Sequence, residues 1–192
     1  MATDILRTFI ALDIPDWVRG QVGRLQQHLM RCCQGVRWVK PEHMHLTLKF
    51  LGPTRPEQID RIKTLLIETV RGVAPFVFDI AGLGAFPNTK NPKVIWAGIA
   101  ADEHLVSFQA RLETGLEKLG FQKEKRTFSP HLTLGRVRDG AHRKDIGTSI
   151  ERHAGETIGR VETSRIVLFR SDLTPSGPVY SVLADVHVPK RQ

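Results

Sequence analysis

"HLTLKF", His45 to Phe50, returns later in the chain as "HLTLGR", His131 to Arg136. One such tetrapeptide is an ordinary strand fragment. Two in a chain of 192 residues point to two similar halves that bring two histidines together. In a strand, side chains alternate, so His45 and Thr47 share one face while Leu46 and Leu48 share the other. His131 and Thr133 stand in the same relation to Leu132 and Leu134. The leucines anchor each strand to its core, and each His-Thr pair is left pointing away from it.

The flanking sequence repeats the same rhythm. Thr8 to Ile14 is apolar and stops at Pro15, as a buried strand does. Asp16 to Met30 carries Trp17, Val18, Val22, Leu25 and Leu29 at helical spacing, with Asp16 placed to cap. Pro56 to Val70 is a second helix, with Ile59, Ile62, Leu65, Leu66 and Thr69 on one face and Thr54 as its candidate cap. "PFVFDIAGLGAF" and "KVIWAGIA" read as strands joined by the turn "PNTKNP". Asp102 to Leu119 is again amphipathic, and Gly120 sits where a helix ends. "DGAHRKDIGTSIERHAGE" reads as a short helix or ordered loop. "SRIVLFRSDL", "TPSGP" and "VYSVLADVHV" close the chain as an antiparallel hairpin.

Strands and helices are interspersed, yet no glycine-rich phosphate loop follows the first strand. The expectation is therefore an α+β fold with two pseudo-symmetric lobes, each an antiparallel sheet with helices, and a cleft between them. No Gly-, Pro- or Ser-rich linker separates the halves. Residues 1–192 are read as a single bilobal domain with one motif per lobe, 45–48 and 131–134.

Composition narrows the function classes. The chain is 41% hydrophobic and 25% charged, a balance typical of globular proteins. Lys and Arg number 28 against 20 Asp and Glu, a net charge of +8, which makes polyanions, nucleic acid first, the natural partners. No block of five like charges occurs, so a positive patch must be assembled by folding. The only cysteines, Cys32 and Cys33, are adjacent and cannot form a secreted disulfide framework. The opening "MATDILRTFIALDIP" lacks the apolar core of a signal peptide, and no 18 apolar residues run together. A cytoplasmic protein with no membrane association is expected.

Two imidazoles and two hydroxyls lining one cleft suit the opening of a cyclic phosphodiester by water. One group must take the water proton and another must protonate the departing oxygen, on opposite sides of phosphorus. Histidine serves either role near neutral pH. Uncharged threonine hydroxyls donate to the non-bridging oxygens without repelling the phosphate. A cation is wanted as well: Arg136 follows the second tetrapeptide directly, and Arg126 in "KEKRTFSPH" is the other candidate. Strict alternation, however, turns Arg136 onto the wrong face, five positions from His131. It reaches the cleft only if Gly135 ends or bulges the strand. Phe50, five after His45, has the same parity problem; on the cleft face it offers a ring for base stacking. A metal held by His43 and His45 is the alternative reading, although no carboxylate or cysteine nearby completes a shell. His28, His104, His142, His153 and His187 receive no role.

The paired His-x-Thr-x tetrapeptides resemble the two-histidine (2H) phosphoesterase superfamily. Within it the chain is most similar to the RNA 2′,3′-cyclic phosphodiesterases, also called 2′-5′ RNA ligases. The similarity runs through "RTFIALDIP", "WVKPEHMHLTLKFLG", "GLGAFPNTKNPKVIWAGI", "RTFSPHLTLGRV" and "SDLTPSGPVYSVL" in order. It implies hydrolysis of an RNA-terminal 2′,3′-cyclic phosphate to a 2′-phosphate with no metal or nucleotide cofactor. It further implies that His45 protonates the leaving 3′ oxygen, that His131 activates water, and that Thr47, Thr133 and Arg136 bind phosphate, with Phe50 as the family's aromatic residue. Some members also join tRNA halves through a 2′-5′ bond. A monomer acting on RNA or oligonucleotide ends is expected, with substrate choice in the loops 87–92 and 139–147. A non-catalytic RNA-binding module on the same fold, or a phosphodiesterase for another small cyclic phosphate or 2′-5′ oligonucleotide, is the competing reading.

Overall fold

The computed structural model describes residues 5–175 and 177–188; residues 1–4 of the opening stretch and Ser176 of the "TPSGP" turn lie outside them. Among the described residues, nine strands and four α-helices follow one another as β1 (Leu6–Leu12), α1 (Asp16–Met30), β2 (Val36–Trp38), a 3₁₀ turn at Pro41–His43, β3 (Leu46–Thr54), α2 (Pro56–Thr69), β4 (Phe76–Phe86), β5 (Val94–Ala100), α3 (Glu103–Lys118), β6 (His131–Val137), α4 (Arg143–Arg152), β7 (Thr157–Thr163), β8 (Arg165–Thr174) and β9 (Gly177–His187). Among the described residues, no helix is long and apolar enough to cross a membrane.

All strand pairs are antiparallel, in the order β7-β4-β5-β6-β3-β1-β8-β9 with β2 also on β6. The sheet divides in its middle, because β3 and β6 touch at a single position, Leu46 opposite Leu132. Those two leucines are the second letters of the two tetrapeptides, and both are fully buried. On one side stand β1, β3, β8 and β9; on the other, β2, β4, β5, β6 and β7. Each motif strand thus belongs to its own antiparallel half.

The helices cross over. Gln26 of α1, from the first half of the chain, reaches the backbone of β6, whereas Gln109 and Glu113 of α3 reach β3. Each motif strand is therefore backed by the helix that precedes the other motif. The apolar faces of the helices meet the buried face of the sheet in one continuous core, which includes Val22 and Leu29 of α1, Leu66 of α2, Phe108 and Leu112 of α3, and Ile150 of α4.

Helix ends differ in detail from expectation. Pro15, with extended backbone, is the N-cap of α1; Asp16 lies in the first turn and pairs with Arg19 at 2.8 Å. Arg55 is the N-cap of α2, where the Gln58 side chain accepts its N–H at 2.9 Å. Thr54 is instead turned into the sheet, its hydroxyl 2.7 Å from that of Thr8. Asp102 caps α3 by accepting the Leu105 N–H at 2.9 Å, and Gly120 leaves that helix at φ +91°. The expected loop 139–147 runs into α4, where Gly147 lies against the Thr89 carbonyl with no room for a Cβ.

Candidate active site

The contact of Leu46 with Leu132 sets the geometry of everything around it. Its antiparallel register puts His45 opposite Thr133 and Thr47 opposite His131, all four on the face away from the buried leucines. In a regular pair, diagonal neighbours of this kind have Cβ atoms about 7–8 Å apart; here the pairing is confined to the one leucine contact. His45, Thr47 and Thr133 line a cleft of about 1070 Å³. His131 shares the strand face of Thr133, but its ring packs on Phe86 at 5.0 Å and Trp96 at 6.4 Å and is not part of the cleft lining.

A β-bulge resolves the parity of the residues that follow, and it does so twice. On β3, Thr47 faces Ala11 and Lys49 faces Ile10, so Leu48 is the extra residue. On β6, Thr133 faces Trp96 and Gly135 faces Ile95, so Leu134 is the extra residue. Each bulge falls on the second leucine of its tetrapeptide and flips the alternation after it. Phe50 and Arg136 therefore join their histidines on the cleft face, and both line the cleft. The bulge sits one residue earlier than Gly135, where the sequence pointed.

A bulged residue loses its place in the ladder, and its carbonyl needs another donor. Buried glutamines contribute one in both halves, joined at Leu134 by the Val39 N–H at 2.9 Å. The Gln109 side-chain amide of α3 donates to the Leu48 carbonyl at 3.3 Å, and that of Gln26 in α1 donates to the Leu134 carbonyl at 2.8 Å. Neither glutamine stands out in the sequence; their signal was a polar residue on the apolar face of each amphipathic helix.

The two imidazoles share a second feature. The His131 Nδ1–H donates to the Ser129 carbonyl at 2.7 Å, which leaves Nε2 free to accept a proton. The carbonyl two residues before His45, that of His43, likewise favours the protonated form of its ring. Their surroundings differ. His45 lies in an aromatic nest, stacked on Phe9 at 4.6 Å with the edge of Tyr180 at 5.5 Å and Phe169 at 5.9 Å. Burial pushes its pKa down to about 4, against the opposing pull of the His43 carbonyl and Asp13. Burial, aided by the Arg136 charge, also lowers that of His131, again opposed by its backbone hydrogen bond.

The cations of the cleft are Arg7, Arg37, Lys40, Arg136 and Arg138, and no Asp or Glu is among its described lining residues. Tyr180 stands near two of them: burial raises its hydroxyl pKa while the Arg136 and Arg7 charges pull it down. Arg126 is elsewhere. It is exposed, its guanidinium is paired with Glu124 at 3.2 Å, and it does not line the cleft. The loops 87–92 and 139–147 are absent from the lining too, because the first packs on the second and on α4: Arg143 donates to Asn91 at 2.6 Å and Thr89 to Glu151 of α4 at 2.7 Å. The wall facing the motifs comes from the β8–β9 hairpin, through Ser171, Leu173, Val179 and Tyr180. His43 rests on Tyr180 at 5.1 Å, and among the described residues no three His, Cys, Asp or Glu side chains gather as a metal shell.

Comparison with known proteins identifies the family and the fold. The family model LigT like Phosphoesterase matches twice, over residues 12–96 and again over 98–180, once for each tetrapeptide. An RNA 2′,3′-cyclic phosphodiesterase of Methanothermobacter thermautotrophicus is 36% identical over 92% of this chain and 95% of its own. One from Thermotoga maritima is 35% identical, covering 93% of each. A crystal structure from Thermus thermophilus superposes with a TM-score of 0.83 at 30% identity, over 97% of this chain and all of the other. LigT of E. coli complexed with 3′-AMP, at 20% identity, shares the fold with a TM-score of 0.73 over 97% of this chain and 100% of its own. A doubled sequence match, carried by two motif strands that meet at one leucine pair, makes this chain a member of the LigT-like phosphoesterase family.

Proposed function

We propose that the chain hydrolyses the 2′,3′-cyclic phosphate at an RNA end to a 2′-phosphate, working as one bilobal unit with a motif in each half. The observation that supports the reading is the meeting of the two motif strands at Leu46 and Leu132 beside a cleft that His45, Thr47 and Thr133 line together with cations and, among its described residues, no carboxylate. An anionic phosphodiester is drawn into such a site and an acidic ligand group is not opposed there.

Water attacks phosphorus in line while the bond from phosphorus to the 3′ oxygen breaks. His131, whose Nδ1 is held by the Ser129 carbonyl, takes the water proton on Nε2. His45 gives its proton to the 3′ oxygen. Thr47 and Thr133 donate to the non-bridging oxygens, and the Arg136 guanidinium stabilises the charge that builds on them. Phe50, an exposed ring on the same face, offers a platform for the terminal base. The burial that depresses His45 is partly offset when the anionic phosphate arrives, since a neighbouring negative charge favours imidazolium. With a 5′ hydroxyl in place of water, the same displacement forms a P–O5′ bond as the P–O3′ bond breaks and leaves a 2′-5′ linkage, which extends the reading to joining of RNA halves such as those of tRNA.

Turnover of a dinucleotide ending in 2′,3′-cyclic phosphate, followed by ³¹P NMR, tests the proposal. A 2′-phosphate product, formed equally in EDTA, is expected. Loss of turnover in EDTA would transfer the chemistry to a metal at His43 and His45. Salt-sensitive RNA binding with no product would leave only a binding module.

A further inference from the structure

The cationic lining exceeds what one cyclic phosphate needs. That group carries a single negative charge, and the proposed reaction uses Arg136 alone of the five cations. The volume, about 1070 Å³, is at the upper end of what one drug-sized ligand fills.

The surplus is organised. Arg37 of β2 lies directly opposite Arg136 of β6, a like-charge cross-strand pair that destabilises a sheet unless an anion joins it. Arg138 is two residues beyond Arg136, roughly 6.6 Å along the strand direction. Its position is held by its backbone N–H, which donates to the Gly35 carbonyl at 2.9 Å. All three side chains are exposed, and among the described residues none has a carboxylate partner. Other surface arginines of this protein do have one, among them Arg126, Arg143, Arg165 and Arg170. Arg37 also crosses from one half of the sheet toward the other: a Cβ on Gly177, where β9 begins, would stand 2.9 Å from its Nη2. Gly177, at φ +130°, leaves the room that this guanidinium occupies.

We propose that Arg37 and Arg138, beside Arg136, form a second anion subsite that takes the phosphodiester immediately upstream of the reacting nucleotide. The subsite makes an oligonucleotide end, rather than a mononucleotide, the preferred substrate. This rests on the phosphodiesterase reading for the identity of the reacting group, whereas the anion site itself rests on the arginines alone.

Two measurements test it. In the first, kcat/KM is compared for a 2′,3′-cyclic mononucleotide and for a dinucleotide and a trinucleotide with the same end. The wild type should prefer the longer substrates, and Arg37→Gln or Arg138→Gln should each lower the dinucleotide-to-mononucleotide ratio about tenfold, as loss of a charge-assisted hydrogen bond does. In the second, binding of a fluorescent trinucleotide 2′-phosphate is followed against salt. The slope of log K against log [salt] should become shallower by about 0.7 in each variant. A ratio and a slope that match the wild type in both variants overturn the subsite. The expected slopes in a protein that turns over no substrate would support the subsite and refute the phosphodiesterase reading instead.

Discussion

The two motif strands carry the same tetrapeptide, the same bulge and the same glutamine support, yet the next residue is solved in opposite ways. After Leu48 comes Lys49, buried behind β3, where its ammonium donates to Glu113 at 2.8 Å and to the Gln122 carbonyl at 2.7 Å. After Leu134 comes Gly135, whose missing side chain leaves space for β2: a Cβ there would meet Val36 Cγ1 at 2.6 Å. The chain runs along β6 as β2, passes through the 3₁₀ turn, touches β6 once more at Leu46 and then departs with β1. Only β6 has this extra strand at its bulge. Where a neighbouring strand fills the space, glycine is required; where α3 does, a buried ion pair is accommodated. The difference extends to the histidines, His45 in an aromatic nest and His131 against Phe86 and Trp96. Equivalent backbone geometry is thus held by unequal means, and local packing rather than the motif sets the environment of each imidazole.

The sharpest way to break the equivalence is to remove each histidine. His45→Ala and His131→Ala should each lower kcat by about 100- to 10,000-fold on a cyclic-phosphate dinucleotide, the range of general acid–base help. A large loss in only one of them would mean that the halves do not share the reaction.

Stability separates the two supports. Lys49→Met leaves the Glu113 carboxylate buried without its partner and should cost about 3–5 kcal/mol in urea unfolding. Pairing it with Glu113→Leu should recover most of that loss. Gly135→Ala, which crowds β2, should cost about 1–3 kcal/mol, and no second charge change should rescue it.

Smaller effects come from the glutamines that hold the bulges. Gln109→Leu strands the buried Leu48 carbonyl, for about 1–3 kcal/mol, whereas Gln26→Leu leaves Leu134 with the Val39 N–H as donor and should cost less. Because Gln26 supports the bulge before Arg136, its loss should be non-additive with Arg136→Ala in kcat/KM. Gln109→Leu should couple in the same way to Phe50→Ala and not to Arg136→Ala. Additivity in both cycles would show that the bulges tolerate the loss of their donors.

The gentlest probe is pH. Both imidazoles have lowered pKa values, His45 at about 4, so near pH 7 the free protein holds both neutral and lacks its acid. The profile of kcat/KM, which reports the free enzyme, should therefore peak below pH 6.5. Folding follows the same sign. Between pH 6.5 and about 4 the unfolded chain binds a proton at residue 45 that the folded one resists, so stability should fall as pH falls through that window. In His45→Ala the decline should be smaller.

Much of the architecture was legible because it depends on period. The helices at 16–30, 56–69 and 103–118 follow apolar spacing, and α1 has the bounds that its pattern marks. The strands of the closing hairpin and the pair β4–β5 follow from apolar runs around turn residues. Arg136 and Phe50 were suspected from their places after the tetrapeptides, but their orientation was not legible, since a bulge leaves no mark in the sequence beyond two consecutive buried positions. Arg126 looked equivalent to Arg136 by proximity to His131, and a single acidic neighbour, Glu124, holds it elsewhere. Arg7, Arg37 and Tyr180 were missed as cleft residues because they come from β1, β2 and β9, remote in the chain from either motif.

By itself the sequence determined that two His-x-Thr strands exist, that each has an apolar face, and that the chain as a whole is basic. These are local properties, set by side-chain type and by the alternation of a strand. That the two strands meet at one leucine pair, that each is backed by the other's helix, and that Arg7, Arg37, Arg136 and, just past β6, Arg138 converge with no carboxylate among the described lining residues are decisions of the tertiary structure. The reason is physical. Pairing register and helix exchange depend on which buried surfaces fit together across the whole core, and no short stretch of residues carries that information.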